Sequence, residues 1–144
     1  VEDSNVPKVD LENVKGYMDS MLNAIEGGLV RSCHDVDEGG LAVALAEMCI
    51  GGGMGAVIDV DVSIPPSIFL FNEGPTRWVV EATPDNAAEL LETLGATPTT
   101  RLGVVCSGEK EDRLKAVVNG KLLLDAPVEE LRKSWEDPLW EMVG

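Results

Sequence analysis

The chain has 144 residues, of which 44% are hydrophobic, and its 26 acidic and 11 basic residues give a formal net charge of -15 at pH 7. This length and this apolar content predict one folded domain with its own core and exclude a disordered chain. The acidic surface, which no basic cluster interrupts, excludes nucleic acid and anionic membranes as partners.

The cysteines and the amino terminus bear on where the protein works. Cys33, Cys49 and Cys106 lie in apolar segments and lack the spacing of a zinc or redox site, so we expect buried free thiols in a reducing, cytoplasmic setting. No segment has the length of a membrane span or the pattern of a signal peptide. Residues 1–9 are polar and predict a linker to a domain over residues 10–144, and a first residue other than methionine suggests a piece of a longer protein.

Hydrophobic periodicity and turn residues predict the elements along the chain. Apolar residues at steps of three and four indicate helices, strict alternation indicates half-exposed strands, and glycine and proline mark the ends. Asn119 and Gly120 between two apolar runs predict a two-residue hairpin. In chain order the predicted elements are a helix over 10–26, a strand from 28 to 35, a helix over 41–50, a strand over 56–62, one or two helical turns at 68–71, a strand over 76–82, a helix over 86–94, strands over 99–106, 114–118 and 121–124, and a helix from Pro127 to Pro138. The fold class is therefore α/β (α+β), with a mixed, partly antiparallel sheet flanked by helices.

Residues 31–55 hold the candidate site, because this stretch contains the only histidine of the chain, a cluster of three acidic residues and two glycine clusters. His34 and Asp35 fall at the end of a predicted strand, where an open sheet exposes a ligand crevice. Gly39 and Gly40 open the next helix, and glycine there lets a phosphate approach the backbone N–H groups. The carboxylates of this turn repel a phosphate unless a metal ion bridges them.

A structural interpretation of the same residues is favoured over a catalytic one. Asp37 or Glu38 at the start of the helix is stabilised by the helix dipole and can cap it. The adjacent His34 and Asp35 are typical of a hydrogen-bonded structural pair, and the glycines allow a tight turn. The chain also lacks a serine nucleophile elbow, a phosphate-binding P-loop and the His-Glu-x-x-His zinc motif.

Arg77 is the remaining candidate, in a turn that also contains Asn72 and Glu73 and precedes a predicted strand. Its guanidinium group could bind a phosphate or a carboxylate through two hydrogen bonds. An ion pair with Glu73 is favoured, because the two residues are four positions apart and the surroundings are already acidic.

Several segments together resemble one enzyme family. CHDVDEGGLAVALAEMCIGGGMGAVIDV is similar to the His-Asp-x-x-Glu-Gly-Gly-Leu region in the carboxy-terminal domain of phosphoribosylformylglycinamidine synthase. VPKVDLENVK, LFNEGPTRWVVEA, TTRLGVV and LLLDAPVEELRKSWEDPLWEM resemble further regions of that family, so the similarity spans nearly the whole chain. Asp37 and Asn72 stand where the family usually has serine. The resemblance implies a fold like the C-terminal domain of aminoimidazole ribonucleotide synthase.

The resemblance also implies a function for the complete enzyme, an ATP-dependent C–N ligase of purine biosynthesis. The family uses ATP and magnesium to convert formylglycinamide ribonucleotide to the formylglycinamidine, with ammonia from a glutaminase subunit. Its partners are a preceding nucleotide-binding domain of the same protein, the glutaminase and small bridging subunits. The main catalytic, ATP and magnesium residues lie upstream of this sequence. We therefore expect no catalytic residue, no metal ligand, no cofactor and no activity in the isolated domain.

The same resemblance assigns residues to the cleft between the paired domains. The six candidate cofactor-binding positions are His34, Asp35, Glu38, Gly39 and Gly40 in the first motif and Arg77 in the second. In the carboxy-terminal half of the enzyme this cleft is generally the auxiliary, non-catalytic one. These residues are therefore expected to shape a domain interface or a structural nucleotide site.

Two alternatives stay open. Aminoimidazole ribonucleotide synthase, selenophosphate synthetase, thiamine-phosphate kinase and a hydrogenase maturation factor share similar glycine-rich turns, but the segment NEGPTR and the Trp-Glu ending fit them less well. A stand-alone interaction or regulatory module is an alternative of another class. A nucleotide-binding domain encoded upstream of residue 1 would exclude the stand-alone module.

Overall fold

The computed structural model describes residues 9–107 and 112–143. The helices are α1 (Val14–Glu26), α2 (Gly40–Gly52), α3 (Pro66–Phe71), α4 (Ala87–Leu94) and α5 (Val128–Val143). The strands are β1 (Ser32–Asp35), β2 (Gly55–Val60), β3 (Trp78–Glu81), β4 (Gly103–Cys106), β5 (Arg113–Val118) and β6 (Lys121–Pro127). The linker predicted over residues 1–9 falls outside the described residues except at its last position.

The described strands form two sheets. β1 and β3 pair antiparallel in a two-stranded sheet, and the other strands lie in the order β4-β2-β5-β6. β2 and β5 are parallel, whereas β4 and β6 are antiparallel to their neighbours. The predicted fold class, a mixed and partly antiparallel sheet flanked by helices, is confirmed. The strand that carries His34 nevertheless belongs to a small sheet of its own.

Helix α2 lies in the main core. Its segment is apolar nearly all round, and Leu41, Leu45 and Ile50 are among its buried residues. It packs with β2 and β5, where Leu114 and Val118 are fully enclosed at 0% exposure. Burial contributes about 1.5–3 kcal/mol for each such side chain, so the helix is held firmly in place. Among the described residues, no helix, α2 included, is both long enough and apolar enough to span a membrane.

A second, smaller core lies on the other face of the two-stranded sheet. Successive side chains of a strand point to opposite faces, and β3 follows this rule: Val79 belongs to the main core, whereas Trp78 and Val80 contact the second. The small sheet is therefore a layer between α2 and the pair α1 and α4, and the end of β1 meets the start of α2. The buried residues of the second core are Met21, Ala24, Leu29, Leu90 and Leu94.

The hairpin between β5 and β6 is confirmed. Asn119 and Gly120 have φ values of 53° and 70°, the left-handed conformation that an Asn-Gly hairpin turn requires. The Asn119 side chain also fixes the hairpin to the end of β2, because its Oδ1 accepts from the N–H of Val62 at 2.7 Å and its Nδ2 donates to the Val62 carbonyl at 3.1 Å.

Two predicted helix ends are wrong. Helix α5 continues past Pro138, because a proline removes only one backbone hydrogen bond and the residues on both sides of it can stay helical. Helix α1 begins at Val14 rather than after Asp10. Asp10 instead caps the preceding turn, where its Oδ1 accepts from the N–H of Asn13 at 3.2 Å.

The cysteines are free, as predicted, but they are not all buried. Cys49 is buried in α2, Cys106 is intermediate and Cys33 is exposed. Burial alternates along β1, and Cys33, which is paired with Val80 on the face of the second core, is nevertheless exposed because that core is small. An apolar neighbourhood in the sequence therefore did not indicate burial for a residue in a four-residue strand.

Candidate functional site

The turn at residues 37–40 joins β1 to α2. Gly39 is the N-cap of α2 with a left-handed φ of 78°, and the N–H of Gly40 donates to the Asp37 carbonyl at 2.9 Å. Gly40 also has a positive φ, 68°, and a Cβ at this position would lie 2.7 Å from the carbonyl carbon of Phe71. Both the backbone conformation and the lack of space therefore require glycine at position 40.

His34 lies at the end of β1 and faces α2. Its Nε2 is 3.0 Å from Oε2 of Glu47, and each of the two side chains is 33% exposed. Its Nδ1 is 2.6 Å from the carbonyl oxygen of Asp35, whereas Oδ1 of Asp35 is 3.6 Å away. Carboxylates and carbonyls only accept hydrogen bonds, so the two short contacts coexist as hydrogen bonds when both ring nitrogens carry protons.

Glu47 is the partner that sequence reasoning missed. The predicted pair of His34 and Asp35 exists through the backbone carbonyl, and the close carboxylate comes from α2 instead. The sequence contained a signal, because Glu47 is the only charged residue in an otherwise apolar helix. A charge in such a position needs a partner or an open path to solvent.

An open cavity of about 250 Å³ lies beside this pair. The carboxylates in its lining repel a phosphate group. Within the described parts of the chain, no cluster of histidine, cysteine and acidic residues is arranged to hold a metal ion. The cavity therefore suits hydrogen-bond donors better than a bare anion. It is lined by His34, Asp35, Asp37, Glu38, Ala44 and Glu47.

Glu73 and Arg77 do not form the predicted ion pair; each contacts the main chain instead. Oε1 of Glu73 accepts a hydrogen bond from the N–H of Gly39 at 2.9 Å. Nη1 of Arg77 donates to the carbonyl of Asn72 at 2.9 Å. Burial lowers the pKa of the Arg77 guanidinium, since the charged form loses hydration there, and the bond to Asn72 replaces part of that hydration.

Exposed apolar side chains border the turn. Val43 on α2 is 37% exposed, and Ile68 and Phe71 on α3 are 47% and 59% exposed. α3 packs on α2, and the backbone of Phe71 lies against Gly40, so these side chains belong to the two helices that meet at the turn. Exposed apolar side chains grouped near one turn are typical of a surface that a further element covers.

The structure brings five of the six candidate positions together. His34, Asp35 and Glu38 line the cavity, and Gly39 and Gly40 form the turn at its edge. Arg77 is not among the residues that line the cavity; it lies behind the turn, where its carbonyl accepts from the N–H of Val36 at 2.9 Å. Binding of a cofactor at these positions remains a prediction.

The model of the family "AIR synthase related protein, C-terminal domain" matches residues 1–116. The chain belongs to this family. The matched range contains β1, the glycine turn and α2, which carry the residues that line the cavity.

Within the family, the chain is similar to subunit PurL of phosphoribosylformylglycinamidine synthase. It is 38% identical to the Thermoanaerobacter sp. (strain X514) subunit over 139 residues, which are 94% of this chain and 18% of that subunit. It is 37% identical to the Cutibacterium acnes subunit over 144 residues, or 96% of this chain and 18% of that subunit. The resemblance derived from the sequence is confirmed, and the chain spans about a fifth of the length of these curated relatives.

Solved structures agree on the fold. A structure of Thermotoga maritima PurL complexed with FGAR superposes with a TM-score of 0.76 at 22% identity and covers 91% of this chain and 23% of that one. The structure of PurLQS from the same organism gives a TM-score of 0.67 at 24% identity, over 86% of this chain and 22% of that one.

Proposed function

We propose that this chain is the carboxy-terminal domain of a phosphoribosylformylglycinamidine synthase. The complete enzyme would use ATP to convert formylglycinamide ribonucleotide to the formylglycinamidine, with ammonia derived from glutamine. The observation that carries the proposal is the 38% identity to a PurL subunit over 94% of the chain. The agreement of the fold with T. maritima PurL, at a TM-score of 0.76, supports it.

In this proposal the domain forms one wall of a cleft, and a nucleotide-binding domain of the same polypeptide forms the other. The exposed side chains of Val43, Ile68 and Phe71 supply an apolar surface for that domain to cover. They lie on α2 and α3, and Ala44 and Glu47 of α2 also line the cavity, so a domain that docks there would come to lie next to the cavity.

The residues of the turn do not fit the phosphates of ATP on their own. Asp35, Asp37 and Glu38 line the cavity, and like charges repel. Phosphate and magnesium contacts therefore belong to the opposite wall, and this chain supplies shape and hydrogen bonds rather than a catalytic group. His34 is the basic side chain of this wall that lines the cavity, whereas Arg77 lies behind the turn.

The full-length protein would also assemble with other subunits in the cytoplasm. One of the similar solved structures is that of PurLQS from T. maritima, a complex of PurL with further subunits. By analogy, a glutaminase would supply ammonia to the protein that carries this domain, and a small bridging subunit would join the two.

A test of the proposal uses the full-length protein that carries this domain. We expect it to restore purine-independent growth to a strain without the synthase, and to release ADP only when formylglycinamide ribonucleotide and ammonia are both present. ADP release that depends on a different ribonucleotide would assign the protein to another branch of the family.

The isolated 144-residue chain serves as the matched control. We expect it to fold, to lack synthase activity and to bind ATP-magnesium weakly or not at all, because one wall of the cleft is absent. Calorimetry that detects micromolar binding to this chain alone would contradict the assignment of the phosphate contacts to the opposite wall.

A further inference from the structure

The start of α2 holds a carboxylate from a distant part of the chain. Its N-cap is Gly39, which has no side chain to cap the helix, and the first turn contains no acidic residue. Glu73, 34 positions away, fills this role: its Oε1 accepts from the N–H of Gly39 at 2.9 Å. A carboxylate at this end of a helix is stabilised by the helix dipole.

Other contacts fix residues 72–77 to the same turn. The carbonyl of Arg77 accepts from the N–H of Val36 at 2.9 Å, directly after β1. The guanidinium of Arg77 donates a hydrogen bond to the Asn72 carbonyl at 2.9 Å, which links the two ends of the segment. The segment and the turn therefore form one unit, and the bond from Glu73 joins its two halves.

We propose that Glu73 is a positioning residue: its carboxylate serves as a built-in anion at the start of α2 and holds residues 72–77, with Arg77, in the orientation that the cleft requires. This inference rests on the proposed function, because it assigns Glu73 a part in the cleft wall. It also follows that a phosphate-bearing ligand does not use the N–H of Gly39, which is already bonded.

The first test compares three variants of the full-length protein. Glu73→Ala removes the acceptor, Glu73→Gln keeps an oxygen that can accept from Gly39, and Glu92→Ala removes an exposed carboxylate from α4 as the matched control. We expect kcat/KM to fall about tenfold in Glu73→Ala, the scale for loss of a hydrogen bond to a charged group. Glu73→Gln should recover most of this loss and Glu92→Ala should match the wild type.

A purely structural role would give a different result. It would lower the melting temperature of Glu73→Ala while kcat and KM of the folded fraction stay at wild-type values, and that outcome would overturn the proposal. If Glu73→Ala does not fold, Glu73→Asp replaces it, because its carboxylate is one methylene shorter and cannot keep the same distance to Gly39.

A double-mutant cycle with Arg77→Ala separates this inference from the proposed function. If Glu73 acts through Arg77, the two substitutions together should cost little more than Arg77→Ala alone. Additive losses would overturn the positioning role. If Arg77→Ala leaves kcat and KM unchanged, Arg77 has no part in the cleft. The comparison of Glu73→Ala with Glu73→Gln then decides whether Glu73 positions the rest of the segment.

Sulfate supplies a readout that does not depend on activity. Without the carboxylate of Glu73, the N–H of Gly39 and the helix dipole are open to an anion. Sulfate should therefore raise the melting temperature of Glu73→Ala more than that of the wild type or of Glu73→Gln. Equal responses of the three proteins would contradict the description of Glu73 as a built-in anion.

Discussion

The two ends of helix α2 are both rich in glycine, but for different physical reasons. At the start, a Cβ on Gly40 would lie 2.7 Å from the backbone of Phe71. At the other end, no atom outside the adjoining residues and the helix's own backbone lies within 4 Å of the Cβ positions of Gly51 and Gly53. Gly53 is needed only for its left-handed φ of 61°, which ends the helix. The first glycine cluster therefore belongs to a closely packed site, whereas the second ends a helix where the space around Gly51 and Gly53 is open.

The largest expected effect is that of Gly40→Ala. The substitution combines a positive φ with a clash against the Phe71 backbone, and together these should lower the free energy of unfolding by about 2–4 kcal/mol. Urea denaturation of the chain measures this loss. A loss below about 1 kcal/mol would mean that α3 moves away easily and that the start of the helix is packed no more closely than its end.

A smaller effect concerns Cys49, which lies in the core one turn before the end of α2. Burial, and then the charge of Asp112, raise the pKa of this thiol from 9.0 to about 11. The unfolded chain releases the proton near pH 9, so the contribution to stability is complete below pH 9 and is lost as the pH rises toward 11. Unfolding free energies at pH 8, 9 and 10.5 should fall more steeply for the wild type than for Cys49→Ala. Parallel curves would contradict the burial of the thiol.

His34→Ala tests the polar contacts of the cavity beside the start of α2. Loss of the contact with Glu47 should lower the free energy of unfolding by about 0.5–1 kcal/mol, because the pair is partly exposed. In the full-length protein, kcat should change less than about threefold. A large fall in turnover at an unchanged melting temperature would make His34 a catalytic residue and would overturn its role as part of the wall.

Local features of the sequence were sufficient to predict α2, the glycines that end it and the hairpin at Asn119, because each of these depends on residues close together in the chain. The contacts that build the site were not accessible in the same way. Glu73 reaches Gly39 across 34 positions, and Glu47 meets His34 only after β1 has packed against α2. Such pairs depend on tertiary packing. Sequence spacing identified the contact of His34 with Asp35, which runs through the backbone carbonyl, but not the contact with Glu47, and it favoured the wrong partner, Arg77, for Glu73.

The smallest expected effect comes from Gly51→Ala, and it has the opposite sign. Gly51 lies inside the last turn of α2, and the space around its Cβ position is open. Alanine should therefore raise the free energy of unfolding by about 0.5–1 kcal/mol, since glycine loses more backbone entropy in a helix. Gly53→Ala is the matched control, because its left-handed φ should make the same substitution unfavourable. If both variants lost stability, the end of the helix would be constrained by packing as its start is, and the difference between the two glycine clusters would disappear.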